Sequence, residues 1–220
     1  MSTQKPDGIS TYFLDLDGTF YANSLGMWEA ISERINAFLE RHMGFDKAAI
    51  DKAREDYYVQ YGTTLRGLML HHEVDPLEYL AYVHNVPLDD YLTPNPAIQK
   101  ALEALPGTKW IFTNADTAHA KRVLEAVGVS LDLFAGFIDV VRTDYVNKPD
   151  EAAYRKALEI AGGPPPSTCV MVDDQDRNLA PSRRLGMHTV LVGPDVEDRA
   201  AHTNIAELHQ LPAALNGLLE

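Results

Sequence analysis

Asp15 and Asp17 stand two residues apart at the end of the apolar run Tyr12-Phe13-Leu14, with Gly18 and Thr19 directly after them. The run reads as a short buried strand, and side chains two apart on a strand share a face. Carboxylates held that close repel, so the pair needs a cation or a bound proton. Gly18 lets the chain turn sharply, and Thr19 adds a hydroxyl beside the acids. The C-terminal end of a strand in an α/β sheet is also where ligands bind. A nucleophilic carboxylate beside a divalent metal is the leading chemical reading, and a turn with solvated acids is the alternative for the pair alone.

Three further places carry polar groups at a junction between an apolar run and a loop. Thr113 and Asn114 close the segment 109–112, Lys148 precedes a helix opened by Pro149, and Asp173 and Asp174 end the segment 168–172. Each has a plain reading by itself: a surface lysine, or an acid pair that is solvated or caps a helix. Their common position at strand ends is what joins them, because a parallel sheet puts all its C-terminal strand ends on one edge.

The elements that must do this positioning are legible as alternating patterns. A strand is expected over 10–16, followed by a helix-rich stretch over 26–91 with no convincing strand. Within it Trp28, Ile31, Ile35, Phe38 and Leu39 recur at helical spacing, as do Ala49, Ala53, Tyr57 and Tyr61. Pro94 and Pro96 mark a boundary. Beyond it the pattern predicts a helix over 97–105, a strand over 109–112, a helix over 117–127 closed by Gly128, and a strand over 137–141. A helix over 149–161 with Pro149 in its first turn, a strand over 168–172, a helix over 177–185 and a strand over 188–192 complete it. Strands that alternate with helices and read as continuous apolar runs imply a parallel sheet covered on both faces. The fold expected is α/β: a Rossmann-like parallel sheet core flanked by helices, with an inserted all-helical cap. Residues 9–22 and 94–220 form the core and 23–93 the cap.

Length and composition agree with that architecture. A chain of 220 residues with 45% hydrophobic and 23% charged residues is a globular protein rather than a disordered one. The net charge of −13 argues against nucleic-acid polymers and anionic membranes as partners, since both need basic patches. It leaves room for a small anionic substrate. Cys169, the single cysteine, sits in an apolar run and reads as a buried, inert thiol. Met1 to Ser10 has no apolar stretch of a signal peptide, and no window approaches the roughly 18 apolar residues of a membrane span. A cytoplasmic protein is the default expectation.

Taken in order, Asp15-Leu16-Asp17-Gly18-Thr19, Thr113-Asn114, Lys148-Pro149 and Val172-Asp173-Asp174 with Asn178 resemble the haloacid dehalogenase superfamily of phosphotransferases. The resemblance spans nearly the whole chain, and the helical insertion looks like that family's cap. It implies that Asp15 is the nucleophile, forming an aspartyl-phosphate. Asp17 acts as general acid for the leaving alcohol and then as base for water. Thr113 and the loop amides around Asn114 hold phosphoryl oxygens, and Lys148 neutralises charge. Asp15, Asp17 through its backbone carbonyl, Asp173 and Asp174 form a Mg²⁺ site, with more weight on Asp174. Mg²⁺ prefers oxygen ligands, and a dianionic phosphate meets an anionic nucleophile only with such help. A second aspartate two residues on favours phosphate esters over dehalogenation. Phe20 and Gln175 depart from the residues common at their places.

Specificity must then come from the cap. Tyr57 and Tyr61 share a helix face, and with Tyr21 they form an aromatic wall in this reading, suited to stacking a nucleobase, with Arg66 as a phosphate or base contact. The segment from Tyr57 to Leu80, with Tyr21, resembles the cap of pyrimidine 5′-nucleotidases. The alternatives stay open: tyrosines that pack the cap's own core, and an arginine on the surface. His71 and His72 read as non-metal residues. The expected activity is Mg²⁺-dependent hydrolysis of nucleoside 5′-monophosphates, pyrimidine ones first. A phosphatase for a small sugar phosphate or phosphoglycolate is the alternative, favoured if the cap tyrosines face away from the pocket. A non-catalytic binding protein of the same fold comes third. The sequence leaves the oligomeric state open.

Overall fold

Every residue of β1 (Thr11–Leu14) is buried, and it lies between two parallel neighbours, β2 (Thr108–Phe112) and β4 (Cys169–Asp173). The structure is a computed structural model, and it describes residues 8–193 and 201–218. With β3 (Gly136–Ile138), β5 (His188–Val192) and β6 (Thr203–Ile205) it forms a parallel sheet of order β3-β2-β1-β4-β5-β6. Tyr12 and Leu14 of β1 enter one apolar core and Phe13 the other, as the strand alternation requires. The helices α5 (Pro96–Ala104), α6 (Thr117–Ala126) and α9 (Leu211–Leu215) supply Leu102, Val123 and Leu211 to the first core. Those covering the other face are α7 (Glu151–Ile160) and α8 (Asp176–Arg184), through Tyr154 and Leu179. Strand order reverses between β1 and β4, which opens a crevice at their carboxyl ends.

The insertion after β1 is helical: α1 (Met27–Arg41), α2 (Lys47–Tyr61), α3 (Thr64–His71) and α4 (Pro76–Val83). Among the described residues it contains no strand. Local chemistry sets the helix ends. Asp46, Thr63 and Asp75 accept backbone N–H groups at the starts of α2, α3 and α4. Gly62, at φ +87°, ends α2. The α1 stripe packs inward through Ile31, Ile35, Phe38 and Leu39, as its spacing predicts, while Trp28 of the same stripe is exposed. In α2 the pattern differs from expectation: Ile50 is its buried residue, and the row Ala49, Ala53, Tyr57, Tyr61 lies beside that contact rather than on it.

Other differences are local. The helix expected from Pro149 begins at Glu151, because Asp150 takes the Ala152 N–H and acts as the cap. The strand expected over 137–141 is β3, three residues that end at Ile138. The last strand and helix, β6 and α9, were not expected; β6 buries only Ile205 and is too short to show a period. Residues 1–7 of the polar lead-in lie outside the described residues. No helix among the described residues is long and apolar enough to cross a membrane.

Candidate active site

The ladder between β1 and β4 runs one residue past β1, with the Asp15 N–H donating to Val172 O at 2.9 Å. This holds Asp15 at the mouth of the crevice before Gly18 turns the chain at φ +88°. A Cβ on Gly18 would sit 2.4 Å from Asp174 Oδ2, so the turn and the β4 end approach closer than any side chain allows. The Asp15 carboxylate accepts from Lys148 Nζ at 2.7 Å through Oδ1 and from the Thr19 hydroxyl at 3.0 Å through Oδ2. Lys148 Nζ also donates to Asp173 Oδ2 at 2.7 Å. Asp173 Oδ1 is filled by the Gln175 N–H and Asn178 Nδ2, both at 2.9 Å. Gln175 thus serves Asp173 through its backbone, which any residue at that place supplies.

Lys148 is itself fixed by Asn114, whose side chain donates to the Lys148 carbonyl at 3.0 Å and accepts its N–H at 2.8 Å. The Asn114 side chain thus holds the lysine loop with its Oδ1 and one N–H, which leaves its second N–H and its backbone for a ligand. The Thr113 hydroxyl accepts the Ala115 N–H at 3.0 Å.

Ligand-capable oxygens of Asp15, Asp173 and Asp174 lie within 4.8 Å of one another. Burial pushes the Asp15 carboxyl well above the usual carboxylate range, Asp173 and Asp174 add to this, and Lys148 opposes it. Asp174 is pushed up to about 7 by burial and by Asp173. Lys148 goes the other way: burial lowers it, but Asp15 and Asp173 more than compensate and raise it. One ammonium against three carboxylates leaves the crevice short of positive charge. An all-oxygen donor set of this kind suits a hard divalent cation. Asp174 faces the cavity and, among the described residues, its carboxylate accepts from the Asn23 side chain, Nδ2 at 2.8 Å, whereas Asp173 lies fully buried behind it.

Asp17 sits apart from that cluster. Its Oδ1 accepts from the Tyr21 hydroxyl at 2.7 Å and from His119 Nε2 at 2.9 Å. Burial would raise its carboxyl, but His119 and Tyr21 outweigh that and hold it below the usual carboxylate range.

One cavity of about 640 Å³ joins these groups to the cap. Asp15, Asp17, Thr113, Asn114, Lys148 and Asp174 line its floor. From α2 it takes Asp51, Arg54, Glu55 and Tyr58, an i, i+3, i+4, i+7 face, and from α1 Trp28. Tyr21, Tyr57, Tyr61 and Arg66 are not in its lining. The aromatic wall expected from them is therefore corrected. The Tyr21 ring is buried and its hydroxyl is held by Asp17. Tyr57 and Tyr61 point toward α3, where their hydroxyls pair with His72 Nε2 at 2.8 Å and His71 Nε2 at 2.6 Å. Tyr58 stands in their place at the cavity, its hydroxyl donating to Gln175 Oε1 at 2.6 Å with the Arg177 guanidinium 4.4 Å from its ring. Arg54 and His119 also escaped the sequence reading. Neither belongs to a local motif: Arg54 sits among the charges of α2, and His119 meets Asp17 across 102 positions of chain.

The chain matches the family model of haloacid dehalogenase-like hydrolases over residues 9–186. It is 27% identical over 194 residues to phosphate metabolism protein 8 of Saccharomyces cerevisiae, an alignment that takes in 82% of this chain and 60% of that protein's length. Among solved structures it superposes on the HAD phosphatase from Thermococcus onnurineus at a TM-score of 0.61, with 19% identity, 96% of this chain and 100% of that one covered. The HAD-hydrolase YfnB from Bacillus subtilis, bound to magnesium, gives 0.64 with 15% identity over 96% and 100%. The L-2-haloacid dehalogenase from Xanthobacter autotrophicus gives 0.60 with 18% identity over 96% and 99%.

Proposed function

The chain belongs to the haloacid dehalogenase-like hydrolases, and from that premise we propose that it is a Mg²⁺-dependent phosphomonoesterase working through an aspartyl-phosphate. The observation that carries the reading is the Lys148 ammonium held between Asp15 and Asp173, with Asp17 on the same cavity but outside the acid cluster. A dehalogenase has no use for a second carboxylate kept apart in this way.

In this reading Asp15 attacks phosphorus while Lys148 and Thr19 hold its carboxylate in line. Backbone amides after Thr113 face the phosphoryl oxygens. Asp17 gives its proton to the ester oxygen as the P–O bond breaks, and later takes a proton from the water that releases phosphate. The depressed Asp17 pKa suits the second task, and the charge of an arriving phosphate raises it for the first. Asp15, Asp174 and the Asp17 carbonyl would hold Mg²⁺, which supplies positive charge to the phosphoryl group.

The cap cavity supports a leaving group the size of a nucleoside. Its volume is within the range of small-ligand sites, and Trp28 and Tyr58 offer flat surfaces beside the Arg54 guanidinium. A pyrimidine, with its carbonyl acceptors, suits that mixture. A small sugar phosphate is the second reading, and the turn of Tyr57 and Tyr61 away from the cavity is the observation in its favour. Phosphate release from UMP, CMP, dUMP, AMP, phosphoglycolate and sugar phosphates, with Mg²⁺ and with EDTA, decides between them. Preference for pyrimidine nucleotides, lost in EDTA and in Asp15→Asn, is the expected result. Turnover concentrated on sugar phosphates would transfer the assignment to the second reading, and full activity in Asp15→Asn would sink the covalent mechanism.

A further inference from the structure

His119 is a buried histidine with one useful bond. The residue is 1% exposed, its Nε2–H donates to Asp17 Oδ1 at 2.9 Å, and its Nδ1 is buried with no partner among the described residues. A histidine that merely fills a core is an expensive choice there, since it leaves a buried polar atom desolvated and unpaired. The ring is nonetheless held firmly. The His84 imidazole stacks on it at 4.2 Å with planes 19° apart. Asp116, which caps α6, accepts from His84 Nδ1 at 2.7 Å and from the His119 backbone N–H at 2.8 Å. One carboxylate therefore holds the His84 ring and the His119 backbone, and the stack passes that constraint to the His119 ring.

Both donors that reach Asp17, the Tyr21 hydroxyl and His119 Nε2, arrive at the same oxygen, Oδ1. Among the described residues no hydrogen bond reaches Oδ2. A carboxyl group whose one oxygen already accepts two hydrogen bonds carries its exchangeable proton on the other. We propose that His119 is a positioning residue that, with Tyr21, pins Asp17 Oδ1 and so dedicates Oδ2 to proton exchange with the substrate. The inference rests on the phosphomonoesterase reading above. In the first half-reaction the Asp15 carboxylate forms a bond to phosphorus, the ester P–O bond breaks with its electron pair on oxygen, and Oδ2–H supplies the proton to that oxygen. In the second, water attacks phosphorus, Oδ2 takes its proton, and the Asp15–phosphate bond breaks to release phosphate. Without His119 the carboxyl rotates, and its proton is no longer aimed at the leaving group.

The test compares two leaving groups by kcat/KM, which reports only the steps up to formation of the aspartyl-phosphate. p-Nitrophenyl phosphate expels an anion that needs no proton, whereas UMP, or whichever alkyl monoester the substrate panel ranks first, expels one that does. His119→Phe should lower kcat/KM on the alkyl ester by about 100-fold or more, the scale of a general-acid contribution, and on p-nitrophenyl phosphate by only a few-fold. His119→Asn, whose amide can still donate, should recover part of the loss on the alkyl ester alone. Tyr21→Phe, which removes a single hydroxyl, should show a smaller selective loss in the same direction and serves if His119→Phe does not fold. Equal losses on both substrates, or no loss on the alkyl ester, overturn the proposal while leaving the phosphomonoesterase reading intact. A wild-type protein that hydrolyses neither ester overturns both.

Discussion

Lys148 is 1% exposed and has two carboxylates at 2.7 Å, so its ammonium is tied to the fold as much as to the chemistry. Removing one partner of a buried ion pair leaves charge uncompensated, at about 3–5 kcal/mol. Lys148→Met should therefore abolish turnover and lower unfolding free energy in EDTA by about 3 kcal/mol or more, read from urea midpoints. Adding Asp173→Asn to that variant should return much of the stability and none of the activity; a double variant no more stable than the single one would show that the loss is not electrostatic. The acids were legible because each sits beside a run whose strand character is plain, and Lys148 because it directly precedes Pro149, which reads as a helix start. His119 and Asn23 were not legible. Each reaches its carboxylate across the fold, over 102 and 151 positions, and a sequence shows no pairing at that range.

At the level of single elements α2 is the instructive case. Its regular aromatic row, Tyr57 and Tyr61, faces α3, while the row that lines the cavity, Asp51, Arg54, Glu55 and Tyr58, reads in sequence as a solvated helix face. A cavity is wet until a ligand enters it, so its walls carry the polarity of a surface, and apolar periodicity finds packing instead. The same reasoning explains why the helices and central strands were foreseen and β6 was not: burial writes a period only where an element is long enough to repeat it. Arg54 spends three of its five N–H groups on Ser32 and Asn36, and its Nε is buried without a partner among the described residues. Arg54→Gln should raise KM for the best nucleotide about 10- to 100-fold with a smaller change in kcat, the scale of a lost bond to a charged donor. An unchanged KM would remove Arg54 from substrate recognition. Packing between α2 and α3 makes a separate prediction. A Cβ on Gly67 would lie 2.2 Å from the Tyr57 ring at its root, where the side chain cannot swing away. Gly67→Ala should cost about 1–3 kcal/mol in denaturant unfolding, and because the Tyr57 Cβ itself would lie 2.5 Å away, Tyr57→Gly should relieve more of that clash than Tyr57→Ala.

Across the whole molecule a net charge of −13 surrounds a crevice that is itself negative, so the fold holds its catalytic edge against its own field. Asp174 records the tension, with its carboxyl pushed up to about 7 by burial and by Asp173. Its ordinary value, kept in the unfolded chain, is near 3.9. Between the two the folded protein binds more protons than the unfolded one, so stability falls as pH rises from about 4 to about 7. A divalent cation acts against that trend, because it binds the ionised acids and stabilises the fold that assembles them. Near pH 5 the cation must displace a proton, whereas near pH 8 the site is already charged and repelling. Millimolar MgCl₂ should therefore raise the melting temperature clearly at about pH 8 and little at about pH 5, relative to EDTA. Asp174→Asn should be less sensitive to pH in EDTA and should lose most of the Mg²⁺ shift, since the amide neither titrates in this range nor brings a negative charge. Equal shifts at both pH values, or a full shift in the Asp174→Asn protein, would place cation binding elsewhere on this acidic surface rather than in the crevice where β1 and β4 part.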